Sequence, residues 1–300
     1  MKSPLTLKSN TKLLQTFRTA DLRQYWQSLF RIDPKSYFRG VDQISKWKCQ
    51  DSGLIFYSPA ECSGPEDLYK KLRNHDWYYL REKWEYDEAL KYVPQTGSVL
   101  EVGSGDGHFL RKAVRDGLSL KGLEMTLPES PTASNQSWSI IAESAQNHAQ
   151  AHPGSYDVVC SFQVLEHVAD PRGFLEASVE LLSPNGRLII STPNSKSFLR
   201  YAFNILDMPP HHMSGWSEES YRFLERIFPI KLEKVMYESL ADYHVDYFMH
   251  TYRSCFTGRY DLRGAWARGM SGRIASKILK MGVRRLIRGQ SMLVVFVKVS

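Results

Sequence analysis

Short apolar runs alternate with helical spacing through the middle of the chain. Ser98 to Val102 is a buried-type strand that ends in a turn of small residues, and His108 to Asp116 follows with helical character. Leu118 to Met125, the weaker Ser139 to Ala142 and Tyr156 to Ser161 predict three further strands. Pro171 to Leu182 predicts a helix closed by the turn Ser183-Pro-Asn-Gly186. Arg187 to Ser191 predicts a fifth strand, stopped by Thr192-Pro-Asn194. Glu218 to Phe228 predicts a helix leading to a sixth strand near Leu232 to Glu238, and the β-branched run Met292 to Val299 predicts a terminal core strand. Apolar strands alternating with helices mean a parallel sheet covered on both faces, so the fold class is α/β.

The flanks read differently. Residues 1–94 form an aromatic-rich extension, expected to be mainly helical and to act as a lid over the domain spanning 95–300. In the extension, Glu66 to Arg73 and Tyr78 to Val93 predict helices, and Gly53-Leu-Ile-Phe-Tyr57 predicts a short strand. An insertion over about 241–290 precedes the last strand. Within it, Ser271 to Arg288 predicts an amphipathic helix. Arg273, Lys277, Lys280, Arg284 and Arg288 would form one cationic stripe, with Ile274, Ile278, Leu279, Gly282 and Leu286 towards another face.

Composition narrows the classes. The chain has 300 residues, 42% hydrophobic and 24% charged, enough apolar material for a real core. No run approaches the roughly 18 apolar residues of a membrane helix, and no signal peptide is expected from Met1 to Arg18. Cys49, Cys62, Cys160 and Cys255 are scattered, which fits a reducing cytosol rather than a disulfide framework. The net charge of +7 is local. Leu262 to Ser300 holds nine of the 39 Lys and Arg with no acid, leaving 30 basic against 32 acidic residues elsewhere. That tail fits an anionic surface, such as a membrane or a phosphate-bearing carrier. With no recognisable RNA module, nucleic acid is not the expected partner.

The chemistry centres on Ser98-Val-Leu-Glu-Val-Gly-Ser-Gly-Asp-Gly-His-Phe-Leu110. Gly103, Gly105 and Gly107 would let the main chain turn tightly beneath a ligand. The spacing is G-x-G-x-G rather than the dinucleotide G-x-G-x-x-G. Glu101 precedes it, where a carboxylate would repel a pyrophosphate and suit a cation. Glu124 stands at the tip of the next strand, where doubly wound folds hold ribose hydroxyls.

Val99 to Phe109 resembles motif I of class I S-adenosylmethionine (SAM)-dependent methyltransferases. Gly122-Leu-Glu-Met125, Tyr156 to Pro171 and Ser183 to Asn194 are similar to their second-, fourth- and fifth-strand segments. Within the class, the subgroup that includes ubiquinone-type O-methyltransferases and sugar or secondary-metabolite methyltransferases is the most similar. The resemblance implies a Rossmann-like seven-stranded sheet, last strand antiparallel, with helices on both faces. It also implies SAM as cofactor. Glu101, the glycines and Gln163 would lie by its methionine part, Glu124 by the ribose, and Met125, Glu143 and Ser144 by the adenine. Leu127 to Ser137 departs from the family pattern.

On the acceptor side, methyl transfer to a hydroxyl calls for a base, and histidine suits neutral pH. His167, in Leu165-Glu-His-Val168, and His211 and His212, in Met208-Pro-Pro-His-His-Met213, are the candidates. A metal is not expected, because the His211–His212 pair lacks a clear third ligand. Tyr78 or Tyr79 is the candidate to cover the cofactor. The expected acceptor is a small molecule or saccharide, lipid- or nucleotide-linked, in a cytoplasmic protein that can sit at the membrane surface. Two alternatives stay open: an RNA or protein methyltransferase docking through the tail, and a non-catalytic module on the SAM fold.

Overall fold

The computed structural model describes residues 1–75, 78, 81–125, 134–135, 137–258 and 261–299. The chain opens with β1 (Thr11–Arg18), α1 (Thr19–Phe30), β2 (Gln43–Cys49), β3 (Ile55–Ser58), α2 (Glu66–Arg73) and α3 (Trp84–Leu90). The α/β portion runs β4 (Gly97–Val102), α4 (His108–Ala113), β5 (Leu118–Leu123), β6 (Ser134–Asn135), β7 (Trp138–Ile141), α5 (Ala145–Ala151), β8 (Tyr156–Phe162), α6 (Pro171–Glu180) and β9 (Leu182–Pro193). It continues through β10 (Ser214–Gly215), α7 (Glu218–Phe223), β11 (Ile230–Ser239), α8 (Val245–Cys255), α9 (Leu262–Ala265), α10 (Gly269–Lys280) and β12 (Arg288–Lys298).

The main sheet has the order β11-β12-β9-β8-β4-β5-β7, with the two-residue β6 antiparallel at its edge. β4, β5, β7, β8 and β9 are parallel neighbours, and β12 inserts antiparallel between β9 and β11. This is the expected seven-stranded sheet with its last strand reversed. Two apolar layers cover it, as strand alternation requires. Leu100, Val102, Val159, Leu188, Ile190, Val294 and Phe296 pack to one side; Val99, Val158, Cys160, Ile189, Leu293 and Val295 pack to the other with Phe109 and Tyr86. Glu101 lies at the sheet centre, opposite Gly122 on β5 and Cys160 on β8.

The extension holds more sheet than its pattern suggested. β1, β2 and β3 form an antiparallel sheet, completed by β10 from the far side of the chain. Five of eight β1 residues in a row are exposed, so no buried alternation marks it as a strand. A third apolar cluster, with Trp26, Ile44, Tyr57, Leu68, Leu72, Met208 and Met213, ties this sheet to the segment carrying His211 and His212. The second extension helix starts at Trp84 rather than Tyr78.

Two expectations near the C-terminus need correction. The turn at Ser183-Pro-Asn-Gly186 is absorbed into β9, which pairs with β8 through an irregular register between Tyr156 and Val158. The basic helix ends at Lys280. Gly282 takes φ +128°, which other residues rarely adopt, and a short 3-10 turn at Val283–Leu286 follows. Arg284 and Arg288 therefore leave the helical stripe. Arg284 Nε reaches Asp242 at 3.4 Å, and Arg288 lies over the Tyr237 ring. No helix among the described residues is long and apolar enough to cross a membrane.

Candidate active site

At the carboxyl ends of β4, β5 and β8 lies a cavity of about 1290 Å³. Its walls include Glu101, Gly103, Gly105, Glu124, Met125, Glu143, Ser144, Gln163, His167, His211 and His212, so the fold brings together every expected site residue except Gly107. The bend after β4 is built as strand tip, glycine turn and short helix. Gly103, Gly105 and Gly107 all take positive φ, at 76°, 52° and 72°. Part of that requirement is internal packing. A Cβ on Gly103 would strike the Val164 side chain, and one on Gly107 would lie 2.7 Å from the Trp138 ring. Gly107 thus shapes the bend from behind.

Two carboxylates flank the bend. Glu124 Oε2 accepts a hydrogen bond from the Gly105 amide at 2.8 Å, which locks the second strand tip to the turn. Glu101 is 2% exposed, and its Oε2 has no partner among the described residues. Burial pushes its pKa well above the usual carboxylate range; Lys83 opposes the shift and Glu124 adds to it. A buried carboxylate oxygen without a donor is costly unless a ligand supplies one. A cationic cofactor bearing an ammonium group fits that need.

The adenine-side residues are already partly engaged. Ser144 caps α5 by accepting from the Asn147 amide at 3.1 Å. Glu143 Oε2 lies 2.7 Å from Nδ1 of buried His148, whose Nε2 meets the Tyr156 hydroxyl. Met125 is 70% exposed. Tyr78 lines the cavity, whereas Tyr79 and most of Leu127 to Ser137 lie outside the described residues.

At the other end, Gln163 takes φ +59° and donates from Nε2 to Glu85 Oε1 at 2.9 Å. Beyond it His167, His211 and His212 stand ring to ring, with centroids 4.4–4.7 Å apart. His167 Nδ1 donates to the His211 carbonyl and His211 Nδ1 to the Leu206 carbonyl, both at 2.8 Å. The Tyr78 hydroxyl meets His211 Nε2 at 2.8 Å. Burial, reinforced by the neighbouring His212, drives the His167 pKa down to about 3 and that of His211 well below its ordinary value. Both rings are neutral near pH 7: good acceptors, but weak bases.

Several cavity groups escaped the sequence reading. Glu85 is 4% exposed on α3, and burial raises its pKa. Glu166 is buried, and burial raises it to about 7. Glu238 is pushed up to about 7 by burial and then by Glu85. Tyr243, His244 and Tyr247 come from the insertion. Glu166 interrupts the largely apolar run Phe162 to Val168, which is a signal in the sequence; Glu85, among the charged residues of Arg81 to Lys91, carries none.

Comparison with known proteins agrees with this geometry. A family model described as "Methyltransferase domain" matches residues 69–252. The ubiquinone biosynthesis O-methyltransferase of Pectobacterium carotovorum subsp. carotovorum (strain PC1) is 37% identical over 102 residues, 32% of this chain and 43% of that protein. Its namesake from Yersinia pestis (strain Pestoides F) is 36% identical over 109 residues, 34% and 45% respectively. The chain thus spans less than half the length of the curated relatives it matches. A SAM-dependent methyltransferase from Archaeoglobus fulgidus superposes with TM-score 0.51 at 16% identity, over 77% of this chain and 100% of that one. With a match over more than half its length, on this sheet and around this cavity, the chain belongs to the methyltransferase-domain family and carries the SAM-dependent methyltransferase fold.

Proposed function

We propose that the chain methylates a hydroxyl of a small molecule or saccharide, using SAM. The reading is carried by the buried Glu101 oxygen, which has no partner among the described residues, beside the Glu124–Gly105 contact: two carboxyl groups at neighbouring strand tips of one cavity. When bound, SAM supplies a methyl group already activated by its sulfonium. Glu101 and Gln163 then hold the methionine end, Glu124 the ribose, and Met125, Glu143 and Ser144 the adenine end. Residues 1–94 supply the lid over the 95–300 domain. His167, His211 and His212 line the acceptor side of the cavity. Similarity to ubiquinone biosynthesis O-methyltransferases supports an oxygen acceptor. Calorimetric titration with S-adenosylhomocysteine tests the reading: saturable binding of one ligand per chain is expected, and no heat change overturns it.

The acceptor is taken from an anionic lipid surface. Met270, Ile274, Ile278, Met281 and Leu286 are exposed apolar side chains, the last two at 87% and 88%. Arg273, Lys277 and Arg285 beside them have no carboxylate partner among the described residues. Apolar residues rimmed by free cations are complementary to anionic headgroups. The same insertion contributes Tyr243, His244 and Tyr247 to the cavity wall. Co-sedimentation with phosphatidylglycerol vesicles should be strong, weak with phosphatidylcholine alone, and lost on Ile274→Asp with Met281→Asp. Equal sedimentation with both lipids, or none, overturns the lipid surface; RNA binding that survives physiological salt would favour a nucleic-acid acceptor instead.

A further inference from the structure

His211 and His212 are adjacent in sequence, and the fold supplies what the pair lacked. His167, 44 positions earlier, comes up against them. One ring nitrogen from each of the three lies within 4.8 Å of the other two. On each residue Nδ1 has an oxygen neighbour. The His167 and His211 Nδ1 atoms donate to carbonyls at 2.8 Å, and His212 Nδ1 lies 3.5 Å from Asp207 Oδ1. A carbonyl only accepts, so the proton on His167 and His211 sits on Nδ1 and the lone pair on Nε2. Oxygen partners on one nitrogen are how proteins aim the other at a metal.

The supporting frame is rigid. The Met213 and Ser214 amides both donate to the Glu166 carbonyl, at 2.7 and 3.1 Å, and the Gly64 amide donates to the Pro210 carbonyl at 2.7 Å. The two ligand-bearing loops are therefore tied to each other and to the segment at Gly64. A second observation points to a missing cation. Glu166 is 1% exposed, its Oε1 lies 3.9 Å from His167 Nε2, and its Oε2 has no partner among the described residues.

We propose that His167, His211 and His212 bind one divalent transition-metal ion, with Glu166 alongside and the cavity side of the ion open. Imidazole donors select first-row ions such as zinc, cobalt or nickel over magnesium and calcium. Zinc–nitrogen bonds of about 2.1 Å in a tetrahedral site put donor atoms roughly 3.4 Å apart. The ligands must close in from their present spacing. Turning the His212 ring, and releasing His211 Nε2 from the Tyr78 hydroxyl, provides that movement. The site rests on the acceptor-side reading of this wall given above, and deepens it: the open face takes an acceptor that offers oxygen donors.

The test uses the full chain without an affinity tag, stripped with chelator and titrated with cobalt(II) alone. The visible bands of four-coordinate cobalt should saturate near one equivalent per chain and disappear when zinc is added. His167→Ala and His212→Ala should each weaken cobalt binding at least tenfold while still binding S-adenosylhomocysteine. Absence of the bands from the unaltered chain overturns the metal site, as do bands that persist in both variants. S-adenosylhomocysteine titration of the same stripped samples reports separately on the transfer reading, which stands if the nucleoside binds and cobalt does not.

Discussion

Replacing Glu101 by glutamine should move stability and cofactor affinity in opposite directions. The carboxylate is almost fully buried, and one oxygen lacks any donor among the described residues. Burial raises its folded pKa well above the ordinary value, against the pull of Lys83. A group raised in the folded state contributes stability that is complete below its unfolded pKa and lost as pH rises through its folded one. The loss is about 1.4 kcal/mol for each unit between the two. Glutamine cannot ionise, so the free variant should melt higher than the parent at alkaline pH and lose that advantage in acid. Binding runs the other way. Hydrogen bonds to a charged group contribute about 1.5–3 kcal/mol, so the variant should bind S-adenosylhomocysteine about 10- to 150-fold more weakly. The unaltered protein should also release a proton on binding, because a cation beside Glu101 favours its ionised form. Paired thermal melts at two pH values and titration calorimetry in buffers of different ionisation enthalpy read all three effects. Unchanged affinity, or a variant less stable at alkaline pH, refutes the assignment of Glu101 as the cation-binding group.

Glu124→Ala should weaken S-adenosylhomocysteine by about 1–3 kcal/mol, through lost hydrogen bonds to a charged group and release of the Gly105 amide; unchanged affinity in a titration would mean the ribose lies elsewhere. Gly107→Ala should destabilise the fold by about 2–5 kcal/mol. Roughly 1–2 kcal/mol comes from left-handed backbone and about 1–3 from crowding Trp138; a denaturant midpoint equal to the parent's contradicts this. Glu238, raised to about 7 by burial and by Glu85, should cost stability as pH rises through that value. Glu238→Gln should flatten the melting profile there, and an unchanged profile would show that Glu238 is solvated.

The sheet was legible where one physical rule governs a stretch of chain. β4, β8 and the terminal strand are apolar because both faces are covered, and the glycines after β4 stood out because the backbone turns under a cavity. Legibility failed where partners come from far away. β1 hides because its side chains are exposed and its partner β2 lies across α1. The His167–His211–His212 cluster depends on a contact between two loops 44 residues apart, and no local pattern encodes it. The basic helix was read too long because helical spacing of cations continues through Gly282, where the backbone cannot. Gly103 and Gly107 also make room for Val164 and Trp138, a packing demand that the glycine spacing does not encode.

A crystal structure of the chain with S-adenosylhomocysteine bears most directly on the account. The nucleoside should lie in the cavity with its ammonium against Glu101 Oε2, a ribose hydroxyl on Glu124 and its sulfur turned towards Gln163 and the three histidines. A ligand bound elsewhere, or bound here with Glu101 still unpartnered, would contradict it.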